Sequence, residues 1–212
     1  MVRLLRLTLL GVGAMNSPRY APAGLLLRFA GTRIAFDGGP GAEPAGRVDA
    51  WLVTDERSEL RAALRRLAAE RGVAPVMAGH TAGELRVQPH PVAHTSHPTC
   101  GYVIRAGDRL VVWAPEFWRF PAWAAGADLM FAEAAAWDRP IRFRGGVGGH
   151  ASLHSTAAQA EQLGVRHLVY VHIGRPVIRA MDAGLRPPMG EWGIEGHTYR
   201  LPVRDRDPGR LA

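Results

Sequence analysis

Apolar residues fall in short runs broken by glycine and proline, and helical spacing appears only where those breakers thin out. Residues 4–10 open with a strand pattern that Gly11-Val12-Gly13 stops. Residues 25–29 and 33–36 are strand-like runs around Gly31-Thr32, a hairpin turn by composition. The second run ends in Asp37-Gly38-Gly39-Pro40-Gly41, an acidic residue before a glycine-rich bend. Residues 50–53 form a short apolar run that gives way at Thr54 to five polar residues. The next segment, 56–71, carries Leu60, Leu64 and Leu67 on one face and arginines opposite, which predicts an amphipathic helix ended by Gly72.

The pattern then predicts a strand at 73–77, a turn or small helix at 80–83 and a strand over 85–92. Residues 101–105 and 109–114 form a hairpin around Gly107-Asp108. A strand at 127–132 and a glycine-rich loop at 139–149 come next. Helices at 156–163 and 176–183 flank a strand at 167–171, and a last strand at 197–201 precedes a polar tail from Pro202, expected to be loose. Periodicity alone reaches a single α/β or α+β domain.

Composition adds few constraints. A chain of 212 residues with 47% hydrophobic and 21% charged positions can bury a full core. No apolar run has the length of a membrane span, and the opening strand is interrupted by Arg3 and Arg6 and lacks a cleavage-type site. A soluble cytoplasmic protein is therefore expected. The single cysteine, Cys100, rules out an internal disulfide. All basic residues are arginines, and the net charge of +7 would suit anionic ligands or nucleic acid. The arginines are scattered, however, and form no basic stripe, so arginine replacing lysine on an ordinary surface is the preferred explanation.

The landmarks resemble, in order, one superfamily. Residues 9–13 followed by Ser17-Pro18-Arg19, then Ile34-Ala35-Phe36-Asp37-Gly38-Gly39-Pro40-Gly41, are similar to the opening of metallo-β-lactamase-fold hydrolases. Residues 48–54 resemble the strand leading into their T-H-x-H-x-D-H metal motif. Gly149-His150-Ala151-Ser152 and Tyr170-Val171-His172-Ile173-Gly174 resemble their two late histidine motifs, and residues 89–112 their central histidine and following hairpin. The resemblance spans about residues 4 to 201. It implies an α+β fold, a four-layer αβ/βα sandwich, in one domain over residues 1–205 with a loose tail at 206–212. The flavour is that of the ribonuclease Z and phosphodiesterase branch, whose members use two zinc ions to activate water.

The metal motif itself is degenerate. Laid on T-H-x-H-x-D-H, the chain reads Thr54, Asp55, Glu56, Arg57, Ser58, Glu59, Leu60. Three imidazoles are gone, and one is replaced by a guanidinium that cannot ligate a metal. Asp55 and Glu59 remain as carboxylates better suited to hard ions. The same residues also read as a helix start, with Asp55 as N-cap and acidic residues in the first turn. The other stations are kept: the resemblance makes His94 the central ligand, with His97 a rival, and His172 the last one. Glu116 stands where the family carries its bridging aspartate.

For the histidine that assists catalysis, His150 and His154 compete. His154 lies 18 positions before His172, which shortens the intervening helix by a turn; His150 lies 22 before it and falls in register, so His150 is preferred and His154 is placed at the pocket border. Asp55, His94 and Glu116 could hold one ion, and Glu59, Glu116 and His172 another. The ligand count predicts one divalent ion, Zn or Mn, or none.

Two functions stay open at this level. One is a mononuclear metal-dependent hydrolase of phosphoesters or other anionic esters, with His150 and Glu116 catalytic and Arg57, Arg175 and His154 facing a small anionic substrate. The other is a pseudoenzyme that binds a ligand or partner, with Arg57 in the place of the metal charge. Nucleic acid binding and a homodimer are further options, and no membrane role is expected.

Overall fold

The computed structural model describes residues 3–204. The chain runs through β1 (Arg3–Gly11), β2 (Gly24–Phe29), β3 (Thr32–Asp37), β4 (Ala50–Leu52), α1 (Arg61–Ala69) and β5 (Pro75–Val76). It continues through β6 (His80–Ala82), β7 (Leu85–Pro91), β8 (Cys100–Ala106), β9 (Arg109–Ala114) and β10 (Leu129–Glu133). The last part holds β11 (Ile141–Arg142), β12 (Gly149–His150), α2 (Leu153–Gln162), β13 (Leu168–Val171), α3 (Arg175–Asp182), β14 (Glu191–Trp192) and β15 (Thr198–Val203).

Two large sheets result, ordered β15-β1-β2-β3-β4-β5 and β14-β13-β10-β9-β8-β7-β6, with β11-β12 as a small separate ribbon. β1 shows why the first sheet faces one way: Leu5, Leu7 and Leu9 are buried, and Arg6 between them is exposed. β10 and β13 are buried along their whole length, as expected for parallel strands covered on both faces. The main core lies between the sheets, where Phe36 of β3 meets Tyr102 of β8 edge-on at 5.2 Å and Phe131 of β10 meets Tyr199 of β15 at 5.3 Å. On the outer face of the first sheet, Leu64, Leu67 and Ala68 of α1 cover Leu26, Ala35, Trp51 and Val53. α2 packs on β10 of the second sheet. This is the expected metallo-β-lactamase sandwich. No helix of the described residues is long and apolar enough to cross a membrane.

Three local expectations are corrected. α1 starts at Arg61 rather than at residue 56, and Leu60, not Asp55, occupies its N-cap position without a side-chain bond. Tertiary partners explain this: Asp55 accepts the Arg57 N–H and a histidine contact, and Glu56 accepts the Met77 N–H, so residues 55–60 are held in turns. His80–Ala82 is a strand that pairs with β7, not a turn or helix. Pro202 and Val203 belong to β15, opposite Leu4 and Arg3; the expected tail at 206–212 lies outside the described residues.

Candidate active site

Parallel strands deliver the polar groups. β9, β10 and β13 are adjacent and parallel, and their carboxyl ends present Glu116, Glu133 and His172 on one edge of the second sheet. β3 and β4, also parallel, end beside them in Asp37 and in Thr54-Asp55. This is where an α/β topology gathers chemistry. The β7–β8 connection adds His94 and His97, and β12 adds His150. Asp37 (φ 46°) and His172 (φ 56°) both sit in the left-handed region, a strained geometry for non-glycine residues. His172 is held there by the next residue, which joins the sheets: Ile173 N–H donates to Val12 O (2.7 Å) and Ile173 O accepts from Ala14 N–H (3.1 Å).

Glu133 is the hub. Its side chain is fully buried, and its Oε1 accepts the Ala135 N–H (2.8 Å) and His172 Nδ1 (3.1 Å). Its Oε2 accepts the Phe117 N–H (3.1 Å) and His150 Nδ1 (2.8 Å). Glu116 stands at the cleft with one oxygen for each of two histidines: Oε2 is 2.7 Å from His94 Nε2 and Oε1 is 3.2 Å from His172 Nε2. His94 Nδ1 lies 2.9 Å from Gly149 O. Phe143 closes on the cluster, edge-on to both His94 (5.4 Å) and His150 (5.3 Å).

Burial alone would raise both glutamates, but the neighbouring imidazoles outweigh it. Glu133 is brought down to about 2 by His150 and His172, and Glu116 falls well below the carboxylate range through His172 and His94. Conversely, burial would lower His172, yet Glu116 and Glu133 lift it to about 9, and Glu116 likewise leaves His94 raised.

On the first-sheet side, Asp37 accepts Thr54 N–H (2.7 Å), Thr54 Oγ1 (3.0 Å) and, from the opposite sheet, Trp113 Nε1 (2.7 Å). Burial pushes its carboxyl up to about 6 in spite of these donors. Asp55 is turned to His97, whose Nε2 lies 2.9 and 3.0 Å from its two oxygens. A cleft of about 480 Å³ connects these groups with His94, Glu116, His150 and His172. Arg57 and Glu59 are exposed on its wall, as is Arg175 at the first turn of α3. The guanidinium of Arg57 makes no ion pair among the described residues. His154 is exposed on α2, edge-on to Trp137 at 4.8 Å, and is not part of the cleft lining.

Residues 41–173 match the family described as the beta-lactamase superfamily domain. The chain belongs to that superfamily. No curated protein matches its sequence. Among solved structures it is similar to the metallo-β-lactamase fold protein YhfI of Bacillus subtilis, with TM-score 0.72 and 15% identity over 94% of this chain and 100% of that one. A diphosphatase of the PhnP family gives 0.69 and 17% over 96% and 99%, and the short form of human tRNase Z gives 0.69 and 14% over 93% and 100%. At these identities the likeness establishes the fold.

Members of this superfamily are metal-dependent, and the donor chemistry fits a cation. A carbonyl oxygen can only accept, so His94 Nδ1 carries the proton toward Gly149; His172 Nδ1 likewise donates to the ionised Glu133. Both Nε2 atoms then point at Glu116 carboxylate oxygens, an arrangement that requires positive charge between them, as a second proton or as a metal ion. Imidazoles that donate Nδ1–H to a carbonyl or carboxylate while offering Nε2 are the usual form of metal-bound histidine. Ligand atoms of Glu133, His150 and His172 also lie within 4.8 Å of one another, but Glu133 already accepts four hydrogen bonds and acts as the holder of the two imidazoles.

Sequence reasoning singled out His94, Glu116, His150 and His172, and the fold brings these four together. It missed Glu133, Asp37 as a working residue, and the partnership of His97 with Asp55. The one sign of Glu133 was a carboxylate directly after the apolar run 129–132.

Proposed function

We propose that this protein is a metal-dependent hydrolase of anionic esters, phosphoesters first, working with one divalent ion, Zn or Mn. The observation that carries this is the pair of Nδ1-locked histidines facing the two oxygens of Glu116. On this reading His94, Glu116 and His172 hold the ion, while Asp55, committed to His97, and Glu59, exposed on the wall, do not. A bound divalent ion supplies Lewis acidity and a water of lowered pKa. The chain's own residues do the rest. His150, fixed through Nδ1 by Glu133, presents Nε2 to the cleft and moves a proton to or from the reacting oxygen. Arg57 and Arg175 on the wall attract and orient the anionic substrate. The diphosphatase and the tRNase Z of the same fold support the phosphoester class by analogy.

The loss of three imidazoles from the motif favours the rival reading, a pseudoenzyme. Metal analysis of the protein purified without chelator separates the two. Near-stoichiometric metal that is lost in His94→Ala and His172→Ala, together with hydrolysis of bis-p-nitrophenyl phosphate, is the expected result. A protein that stays empty after incubation with Zn²⁺ and Mn²⁺ would sink the hydrolase.

A further inference from the structure

The four histidines of the cleft divide into two kinds. His94 and His172 have both ring nitrogens engaged, one by an acceptor behind and one by Glu116. His150 and His97 each have one nitrogen held by a carboxylate and one left over. For His150 the holder is Glu133, at the end of β10 in the second sheet. For His97 it is Asp55, just after β4 in the first sheet, reached across 42 residues of chain. Asp55 is an acceptor, so His97 Nε2 carries the proton and Nδ1 keeps its lone pair. That Nδ1 has no hydrogen bond among the described residues, and it is not among the buried polar atoms lacking a partner. It is therefore accessible, on a ring that lines the cleft and keeps 22% of its exposure. The loop bearing it is pinned: Thr95 Oγ1 donates to His97 O (3.0 Å), and Trp118 N–H donates to Ala93 O (2.6 Å).

We infer that His97 is a second proton-transfer residue of the site, a catalytic base complementary to His150, and that Asp55 is its positioning residue. The inference rests on the hydrolase reading above. In the step it implies, the attacking water gives a proton to His97 Nδ1 as its oxygen bonds to the phosphorus or carbonyl carbon. The bond to the leaving oxygen breaks, the electron pair stays on that oxygen, and the oxygen takes a proton from His150 Nε2. For this His150 starts doubly protonated, its Nδ1–H staying on Glu133; afterwards His97 gives its extra proton to solvent and His150 takes one back, and the net change is ester plus water to acid plus alcohol. A carboxylate behind each imidazole fixes its tautomer and steadies the cation that forms.

The test uses the metal-loaded full chain with His97→Gln, His97→Ala and Asp55→Asn, assayed on bis-p-nitrophenyl phosphate and on a phosphodiester with an alkyl leaving group. His97→Gln is expected to lower kcat on the order of 10²- to 10⁴-fold, by the same factor for both substrates, with KM little changed. Loss at His150→Gln should instead be larger for the alkyl ester, whose leaving oxygen needs the proton. His97→Ala should regain activity with added imidazole, Asp55→Asn should fall between it and wild type, and all three should keep wild-type metal content. Wild-type hydrolysis with kcat unchanged in His97→Gln overturns the inference and leaves the hydrolase standing. Loss of metal in the variants makes His97 a ligand and also overturns it. A wild-type protein inactive with every metal overturns both.

Discussion

Replacing Glu133 by Gln keeps the shape of the side chain and removes its charge. The carboxylate accepts four hydrogen bonds, two on each oxygen: Ala135 N–H and His172 on Oε1, Phe117 N–H and His150 on Oε2. An amide has one oxygen, so in either orientation its NH₂ group confronts two donors that cannot turn away. Two buried donors then lose their acceptor, at about 1–3 kcal/mol each. His172, lifted to about 9 by Glu116 and Glu133, also loses half of its counter-charge. Breaking a buried ionic contact by removing one partner costs about 3–5 kcal/mol, and that is the destabilisation expected here.

The surface supplies its own control. His167 Nε2 lies 3.0 Å from Glu191 Oε1, much the same contact, but with both side chains about half exposed. Glu191→Gln should cost about 0–1 kcal/mol. Urea unfolding of the chelator-treated protein, followed by tryptophan fluorescence, measures both. In thermal scans Glu133→Gln should melt roughly 6–20 °C below wild type, from about 2–4 °C per kcal/mol for a chain of this size. If Glu133→Gln costs no more than Glu191→Gln, burial and four-fold acceptance do not make Glu133 the hub of the site.

Three shorter predictions follow from the same geometry. In the metal-free protein His172 has its pKa raised from 6.5 to about 9, so the stability it contributes is fully present below pH 6.5 and lost as pH rises through 9, on the order of 3 kcal/mol. Asp37, raised to about 6, titrates mostly below that window; a melting temperature that stays flat between pH 6.5 and 10 with chelator present would contradict the assignment. Cys100 is buried, and burial pushes its thiol up to about 12, so the native protein should not react with Ellman's reagent while the urea-unfolded chain releases one equivalent. Gly148→Ala would place a methyl group 1.9 Å from His94 O at φ 151°, forcing the His94 backbone away from the cluster; reduced melting temperature and lost metal binding are expected, measured by scanning calorimetry and metal analysis.

The legible parts of the site were those written into contiguous chain. His172 closes an apolar strand, His150 follows a glycine-rich loop, and Glu116 follows a hairpin, so the order of motifs along the chain picks out all three. Glu133 also closes a strand, β10, but nothing local distinguishes a carboxylate that will be buried from one that will be solvated. Its character comes from Phe117, His150 and His172, which reach it from 16, 17 and 39 residues away. The same limit explains the helix that began late. Asp55 has the propensity of an N-cap, but its carboxylate is taken by His97 and by the Arg57 N–H, and the tertiary bond overrides the local one. Strands of two residues, such as β11, β12 and β14, are too short for periodicity to register.

The degenerate motif takes on a different meaning once its partners are in place. The loop after β4 supplies no imidazole to the first-sheet side of the cleft, while on the second-sheet side His150, Glu133 and His172 form one bonded chain that Glu116 extends to His94. A carboxylate at position 55 is not an inert remnant, because it meets an imidazole contributed by the β7–β8 connection. Imidazole chemistry thus persists on the first-sheet side, with a different polarity: the ring is held by a carboxylate and keeps one nitrogen free. A nitrogen in that state serves proton transfer better than a second ion, since one carboxylate and one imidazole fall short of the three or four protein ligands that hold a divalent transition metal. On the one-ion reading the cleft also keeps two histidines, His150 and His97, that each have one ring nitrogen held by a carboxylate and the other free, one anchored to each sheet.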